Sequence, residues 1–148
     1  MYRHVLIPTD GSERAHRAVT QGLALAKALG AKVTVVTIEP SFDVYAVPAS
    51  KVYEMSGAFA EHAEQAKARA GKILNAVAEE ARAAGVTCET LQIEQDHPYE
   101  GIIDTANQRG CDLIVMASHG RGGIAAVVLG SVTNKVLTHT KIPVLVCR

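Results

Sequence analysis

The chain has 148 residues, of which 48% are apolar and 20% are charged. That length and that fraction of apolar residues are typical of one compact domain, which we expect to span residues 1–148. Lys+Arg and Asp+Glu both number 15, so the chain has no net positive charge that would attract nucleic acid or an anionic membrane to its surface. The apolar runs are shorter than the ~18 residues of a membrane span. The apolar stretch at the start is also too short for a secretory signal, so we expect a folded cytoplasmic protein.

The three cysteines, Cys88, Cys111 and Cys147, are widely spaced and form no C-x-x-C pair. This spacing predicts neither a disulfide framework nor a zinc site. Because each lies in or beside a β-branched run, we expect each to be a small buried hydrophobic residue.

The first part of the chain predicts strand, helix and strand. Residues 4–7 and 32–38 are short apolar runs that end at proline or at Glu-Pro, which is typical of strands. Between them, Ser12 is the expected N-cap of a helix that ends at Gly30. Its expected apolar face comprises Ala15, Ala18, Val19, Gly22, Leu25, Ala26 and Leu29.

The segment from Glu39 to about Met55 has no clear hydrophobic periodicity, which predicts a loop. A loop of this length in a compact domain is often functional. It contains Phe42, Tyr45 and Tyr53. These aromatic residues could form a lid over a ligand, or could pack locally or onto a partner.

The second part of the chain continues the alternation. Residues 56–84 predict a long helix that ends at Gly85, and residues 86–93 predict a strand. Pro98 suits the first position of a helix that ends at Gly110, and residues 112–117 predict a buried strand. A further helix begins near Ser131, and residues 141–147 predict a last strand. The residues expected to face inward from these helices are Ile102, Ile103, Ala106, Val132, Val136 and Leu137.

Strict alternation of strands and helices predicts an α/β fold, a doubly wound and mostly parallel sheet with helices on both faces. In such a sheet the ligand crevice lies beyond the carboxyl ends of the strands. Residues 8–12 follow the first strand there, and residues 117–120 follow the fourth, with Gly130 and Ser131 farther along.

These segments have the chemistry of an adenosine-plus-phosphate site. Glycines at 120 and 130 would let backbone N–H groups approach an anion, and Ser131 would open a helix whose first N–H groups favour phosphate. The Asp10 carboxylate suits ribose hydroxyls or a magnesium ion. However, no G-x-x-x-x-G-K-[ST] motif is present, and Ala125 stands where a G-x-G-x-x-G motif needs its third glycine. The residues alone leave open both nucleotide binding and a glycine-rich turn without a ligand.

Four segments, in order, resemble the universal stress protein (UspA) family. They are residues 4–12 (HVLIPTDGS), 116–121 (MASHGR), 130–133 (GSVT) and 141–146 (KIPVLV), and the resemblance covers essentially the whole chain. It implies a Rossmann-like sheet of five parallel strands in the order 3-2-1-4-5.

The ATP-binding branch of that family carries the motif G-x-x-G, nine residues, then G-[ST]. Gly120, Gly130 and Ser131 match it, whereas Ala117 replaces the first glycine. A methyl group there would be tolerated with a negative φ, or could crowd the phosphates.

The resemblance implies ATP as the ligand, alone or with Mg²⁺. Pro8, Thr9 and Asp10 would line the adenosine side, and Ile38 would present backbone groups to the adenine. The full set of implied binding residues is Pro8, Thr9, Asp10, Ile38, Ala117, Ser118, His119, Gly120, Arg121, Gly123, Gly130, Ser131 and Val132.

The resemblance also implies a homodimer through the last strand, by Ile142, Val144 and Val146, although that strand could be the edge of a monomer. We expect a nucleotide-binding module in stress-response signalling, acting on an unknown protein partner. No set of nucleophile, base and orienting group is visible, so no catalytic residue is assigned and His119 is expected to contact phosphate or shape the turn. The alternatives are a slow ATP hydrolase or phosphoryl-transfer protein that uses the same crevice, and a UspA-type dimer without nucleotide.

Overall fold

The computed structural model describes residues 1–41, 47–120 and 129–148. Within these ranges five strands and four helices alternate along the chain. In chain order they are β1 (His4–Pro8), α1 (Glu13–Leu29), β2 (Lys32–Glu39), α2 (Ala49–Ala84), β3 (Cys88–Glu94), α3 (Pro98–Arg109), β4 (Leu113–Ala117), α4 (Ser131–His139) and β5 (Val144–Cys147).

The strands form one parallel sheet in the order β3-β2-β1-β4-β5, as the resemblance implied. In the register of the two central strands, His4 of β1 lies opposite Lys32 of β2, and Pro8 lies opposite Val36. Because β2 continues to Glu39, it extends three residues beyond the end of β1. Residues 37–39 thus form an overhang of β2 beyond the end of β1.

Two hydrophobic clusters cover the two faces of the sheet. One joins α1 and α2 to the sheet through Val19, Leu74 and Val115. The other joins α3 and α4 through Ile102, Val136 and Ile114. Neighbouring residues of β4 thus enter opposite clusters, which is why the strand is apolar along its whole length.

The expected helix boundaries at Ser12 and at three glycines are confirmed. The Ser12 hydroxyl accepts a hydrogen bond from the Ala15 N–H at 3.2 Å and so caps α1. Gly30, Gly85 and Gly110 end α1, α2 and α3 with φ angles of 65°, 75° and 66°, a left-handed conformation that favours glycine.

The expectation of a loop that continues to about Met55 was wrong for residues 49–55. The second helix begins at Ala49, directly after Pro48, and its first turns contain Tyr53 with 89% of its surface exposed. Good helix formers therefore extend the helix into a region whose lack of an apolar period suggested a loop. Phe42 and Tyr45 lie outside the described residues.

Some finer expectations were also wrong. Leu29 and Leu137, expected to face inward, lie 39% and 40% exposed because they occupy the last turns of α1 and α4. The third strand starts at Cys88 and not at residue 86, because the Val86 N–H donates a hydrogen bond to the Ala81 carbonyl at the end of α2. The last strand starts only after Pro143, which lacks an N–H for a ladder.

Two of the cysteines are buried, as expected, and Cys88 is half-buried. Burial raises the pKa of all three thiols, that of Cys111 to about 11. Thiols protonated at neutral pH are poor nucleophiles, which agrees with their role as small apolar residues.

Candidate functional site

The crevice lies at the carboxyl end of the sheet, where the chain leaves the neighbouring strands β1 and β4 toward opposite faces. After β1 the chain enters α1 on one face, whereas α4 packs on the other. The point where strand order reverses leaves a gap between the two connections. The crevice is lined by Pro8, Thr9, Asp10, Ala15, Ile38, Pro98, Ile102, Met116, Ala117, His119, Gly120, Val132 and Thr133.

One side of the crevice is apolar. Ile38 comes from the end of β2, Pro98 and Ile102 from the start of α3, and Met116 from β4. A side chain at Gly101 would begin 2.7 Å from the Ile38 Cδ1 atom, so the absence of one lets α3 approach β2 closely. The result is a slot with apolar walls between a strand and a helix.

The backbone of Ile38 faces this slot. The Val36 carbonyl accepts a hydrogen bond from the Thr9 N–H at 2.9 Å, so Val36 directs its backbone groups toward β1. Alternate residues of a strand direct these groups to the same side. Ile38 therefore directs its N–H and C=O past the end of β1, on the overhang of β2.

The polar side of the crevice joins the segments after β1 and β4. The Asp10 carboxylate accepts a hydrogen bond from the Ser12 N–H at 2.9 Å. A side chain at Gly120 would begin 2.6 Å from the Asp10 Oδ2 atom, so the carboxylate lies directly against the glycine. The Thr9 hydroxyl accepts a hydrogen bond from the Gly11 N–H at 3.2 Å.

The start of α4 faces the same space. The first N–H that bonds within the helix is that of Asn134, which donates to the Gly130 carbonyl at 3.0 Å. No side chain of the described residues caps this end, so the N–H groups of the first three helical residues have no partner within the helix. Val132 and Thr133 of this turn line the crevice. Such a helix start favours an anion.

Gly130 has a different role from the one expected. Its N–H donates to the Ser118 carbonyl at 2.7 Å, so this group is engaged within the chain and is not free to approach an anion. Its φ of −69° is open to any residue. Glycine is needed for space, because a side chain would begin 3.2 Å from the Ser118 oxygen and 3.4 Å from the His119 Cα atom.

A second hydrogen bond also fixes α4 to the end of β4. The Thr133 hydroxyl donates to the Ala117 carbonyl at 2.9 Å. Together with the bond from Gly130 to Ser118, it holds the start of the helix at a set distance from the strand. The helix end is thereby preorganised beside the crevice.

His119 is 8% exposed and lines the crevice. Its Nδ1 atom lies 3.3 Å from the Ser118 hydroxyl. Its Nε2 atom is buried and has no hydrogen-bond partner among the residues that the structure describes. A buried polar atom without a partner costs about 1–3 kcal/mol, so such an atom in a crevice indicates a site for a ligand.

Ala117 occupies the position where the motif has glycine. No non-glycine residue in the described part of the chain has a positive φ, so the methyl group causes no backbone strain there. The residue belongs to the cluster under α1 and α2. Its methyl group is therefore accommodated by the core.

The structure brings most of the expected binding residues together. Ser118, Gly130 and Ser131 lie beside the lining residues, at the turn after β4 and the start of α4. Arg121 and Gly123 lie outside the described residues. Sequence reasoning missed the contributions of Ala15, Pro98, Ile102, Met116 and Thr133, although the helix start at Pro98 was a signal for two of them.

Within the described ranges, no group of three or more His, Cys, Asp or Glu side chains is placed to hold a metal ion. The described helices also include none with the length and apolar character needed to cross a membrane.

The universal stress protein family model matches residues 1–148. The universal stress protein in QAH/OAS sulfhydrylase 3′region of Thermus aquaticus is 34% identical over 149 residues, covering all of both chains. Universal stress protein MJ0531 of Methanocaldococcus jannaschii is 29% identical, covering all of this chain and 83% of its own length.

Solved structures agree with this relationship. Hypothetical protein MJ0577 superposes with a TM-score of 0.75 at 28% identity, over 99% of this chain and 95% of its own. A universal stress protein in complex with cAMP gives a TM-score of 0.73 at 26% identity, over 99% and 97% of the two chains. On its fold and its sequence, the chain belongs to the universal stress protein family.

Proposed function

We propose that the chain binds an adenine nucleotide, with ATP as the expected ligand, in the crevice between the segments after β1 and β4. The observation that carries this proposal is one crevice that has an apolar slot at one side and an uncapped helix start at the other. A nucleotide has the matching division into a flat base and an anionic phosphate. The universal stress protein solved with cAMP supports the same ligand class.

The base would occupy the apolar slot. Ile102 and Met116 offer apolar contacts to a flat ring, while the Ile38 N–H and C=O face the slot from the overhang of β2. An N–H and a C=O side by side match the donor and acceptor edge of adenine. These groups favour adenine over a base with a different edge.

The ribose and phosphates would follow toward α4. Asp10 and Thr9 lie between the slot and Gly120, where their oxygens suit ribose hydroxyls. Phosphate oxygens would lie at the N–H groups of Ser131 and Val132. The Asp10 carboxylate is also the described group best suited to a Mg²⁺ ion carried in with ATP.

Two measurements test this proposal. Purified protein is denatured and any released small molecule is identified, and the protein is titrated with ATP with and without Mg²⁺ by calorimetry. We expect a released adenine nucleotide or saturable binding. Failure of both would contradict the proposal and favour a family member that acts through protein contacts alone.

We propose no enzymatic role beyond slow ATP turnover. ATP hydrolysis measured against protein concentration separates a binding module from a hydrolase. A rate that rises in proportion to protein and vanishes in His119→Ala would favour the hydrolase.

We also propose a homodimer through β5, the last strand of the sheet. The Cys147 carbonyl accepts from the Ser118 N–H at 2.8 Å, and the Pro143 carbonyl accepts from the Ile114 N–H at 2.9 Å. Successive residues of a strand direct their backbone N–H and C=O groups to opposite sides. Because Pro143 and Cys147 face β4, Val144 and Val146 direct these groups to the open edge. Ile142 precedes them on the same side. Within the part of the chain that the structure describes, no strand pairs with this edge of β5, and β5 carries no charged side chain, which suits pairing with a second copy.

Replacing Val146 with proline removes one donor from that edge without touching the ladder to β4. Sedimentation should show a dimer for the unmodified chain and at least about a tenfold weaker dimer for Val146→Pro, a loss of roughly 1.4 kcal/mol. Val146→Ala, which keeps the N–H, is the control. Equal dimer strength in both variants would contradict pairing through this edge.

In the cell, we propose that the chain acts as a single cytoplasmic domain in a stress response. The bound nucleotide would alter an ordered loop or the dimer surface, which an unidentified protein partner would recognise. Deleting the gene and measuring survival under stress, with rescue by the intact chain and by a variant that does not bind nucleotide, would test this role.

A further inference from the structure

The Nε2 atom of His119 is a polar group that the fold itself does not use. It is buried and has no partner within the described ranges, while the Nδ1 atom at the other side of the ring lies 3.3 Å from the Ser118 hydroxyl. The Cδ2 atom, bonded to Nε2, lies 3.6 Å from the point where a side chain at Gly130 would begin. The edge of the ring that carries Cδ2 therefore lies against Gly130, the residue before α4, and Nε2 is the next ring atom along that edge.

Three elements that line the crevice carry charged or titratable side chains. The segment after β1 contributes the Asp10 carboxylate, which lies against Gly120. The first turn of α4 contributes no ionisable side chain, and the Lys135 ammonium one turn later lies 5.4 Å from the centre of the Tyr99 ring. On α3, the Tyr99 hydroxyl donates to the Glu100 carboxylate at 3.0 Å, and His97 precedes the helix.

We propose that His119 is a proton-linked contact for the phosphate of the bound nucleotide, so that binding recruits a proton to Nε2 and strengthens as the pH falls. This inference rests on the proposed nucleotide site. It adds a regulation of that site, in which ligand affinity depends on pH in the range where imidazole titrates, about pH 5 to 8.

Electrostatics gives the direction of this coupling. A phosphate bound between the helix start and Nε2 favours the imidazolium form, because an adjacent anion stabilises the charged ring. Binding of the nucleotide and protonation of the ring therefore favour each other.

The test uses cAMP and adenosine as probes. A phosphodiester keeps one negative charge between pH 5.5 and 8, so the ligand itself contributes no protonation of its phosphate. We expect cAMP to bind about tenfold more tightly at pH 5.5 than at pH 8, the effect of one unit of proton linkage. Adenosine, which lacks the phosphate, should bind within about twofold at both pH values.

Calorimetry in two buffers with different ionisation enthalpies measures the proton directly. The unmodified chain should take up a fraction of a proton when it binds cAMP near pH 6.5, and none when it binds adenosine. Because this experiment needs no variant, it remains decisive if substitutions at His119 impair folding. Binding of cAMP with no proton uptake would overturn the inference.

The variant His119→Gln provides the second test. Glutamine can place an N–H donor near the position of Nε2 but does not titrate. It should bind cAMP with the same affinity at pH 5.5 and pH 8. His139→Gln, at the other end of α4, is the matched control and should keep the pH dependence. Unchanged pH dependence in His119→Gln would overturn the inference.

Failure of the inference can be distinguished from failure of the proposed function. If cAMP or ATP binds without a pH dependence, the nucleotide site stands and the proton linkage is wrong. If neither adenosine, cAMP nor ATP binds at any pH, the nucleotide site is wrong and the linkage falls with it.

Discussion

Among the described residues, buried polar groups at the amino end of the sheet have partners. Near the carboxyl end, the His119 Nε2 atom in the crevice, the Thr37 hydroxyl on β2 and the first N–H groups of α4 lack them. At the amino end, the His4 Nε2 atom lies 2.8 Å from the Thr34 hydroxyl. The Asp112 carboxylate accepts hydrogen bonds from the Arg3 and His4 N–H groups, at 2.9 and 3.0 Å.

This difference separates stability from function along one sheet. A polar group with a partner inside the chain contributes to folding and has little to offer a ligand. An unpartnered group costs stability and is retained where a ligand can satisfy it. Substitutions at the amino end should therefore change stability, and substitutions at the carboxyl end should change binding.

The largest expected effect is the loss of nucleotide binding in Gly130→Asp. The new carboxylate would lie at the N-cap of α4 and accept the N–H groups that a phosphate would use. We expect affinity to fall at least about 100-fold, or 2.7 kcal/mol. Stability should fall as well, because the new Cβ atom would begin 3.2 Å from the Ser118 oxygen, although aspartate is a good N-cap.

Calorimetric titration with ATP, together with thermal unfolding, checks this prediction. The matched control is Gly57→Asp, because a side chain at Gly57 on α2 meets nothing within 4 Å. An affinity within twofold of the unmodified chain in Gly130→Asp would show that the phosphate site is wrong.

The variant Thr34→Val should change stability alone. It removes the hydroxyl beside the His4 Nε2 atom, within a side chain that is fully buried. We expect the free energy of unfolding to fall by about 1–3 kcal/mol because a buried ring nitrogen loses its partner. Chemical denaturation measures this, and nucleotide affinity should stay within twofold.

Thr138→Val is the control for that variant, since the hydroxyl of Thr138 bonds to a backbone carbonyl on the exposed side of α4. If Thr34→Val weakened binding as strongly as it weakened folding, the two ends of the sheet would not be independent.

The variant Gly120→Ala should weaken binding by about tenfold, or 1.4 kcal/mol. Its methyl group would begin 2.6 Å from the Asp10 Oδ2 atom, and Asp10 is held by the Ser12 N–H, so the polar side of the crevice must shift. Titration with ATP measures the change. Gly71→Ala on α2, where a methyl group makes an ordinary contact at 3.6 Å, should leave affinity unchanged.

The variant Ala117→Gly, which restores the motif glycine, should leave affinity within twofold. It should lower stability by about 1 kcal/mol, because the core loses a buried methyl group and a glycine loses more backbone freedom on folding than an alanine does. Titration and denaturation measure the two effects. A tenfold gain in affinity would show that the methyl group crowds the phosphates.

The smallest expected effect is a loss of stability in mild acid that depends on His4. Burial, with the nearby Lys32 ammonium, lowers the pKa of His4 below 6.5, although a hydrogen bond to the Arg109 backbone and the Asp112 and Glu89 carboxylates oppose this. The unfolded chain thus binds the proton at higher pH, so this contribution to stability is present above about pH 6.5 and is lost as the pH falls.

Thermal unfolding between pH 7 and 5 measures that decline. His4→Gln should flatten it, while His16→Gln, on the exposed side of α1, should not. An unchanged decline in His4→Gln would assign it to another group.

Much of the fold was predictable because its signals are local. The alternation of runs, the serine at the start of α1 and the glycines at three helix ends act within a few residues, and each was confirmed. The start of α2 was not predictable from periodicity, since its first turns have few side chains to bury.

The geometry of the candidate site depends on contacts between distant parts of the chain. The motif identified Gly120 and Gly130, but only the folded chain shows that one lies against Asp10 and the other against Ser118 and His119. Similarly, the partner of His4 and the bonds to Asp112 join residues 30 and 108 positions apart. A single sequence contains no signal for such pairs.

The peptide units on either side of Ser118 form a mechanical link between the two proposed interfaces. The Ser118 N–H holds the Cys147 carbonyl of the edge strand, and the Ser118 carbonyl holds the Gly130 N–H at the start of α4. Two hydrogen bonds in series therefore connect β5 to the helix that faces the crevice. A displacement of the helix start would therefore act on the edge strand through Ser118, and assembly of the proposed dimer at that edge would act on the crevice through the same residue.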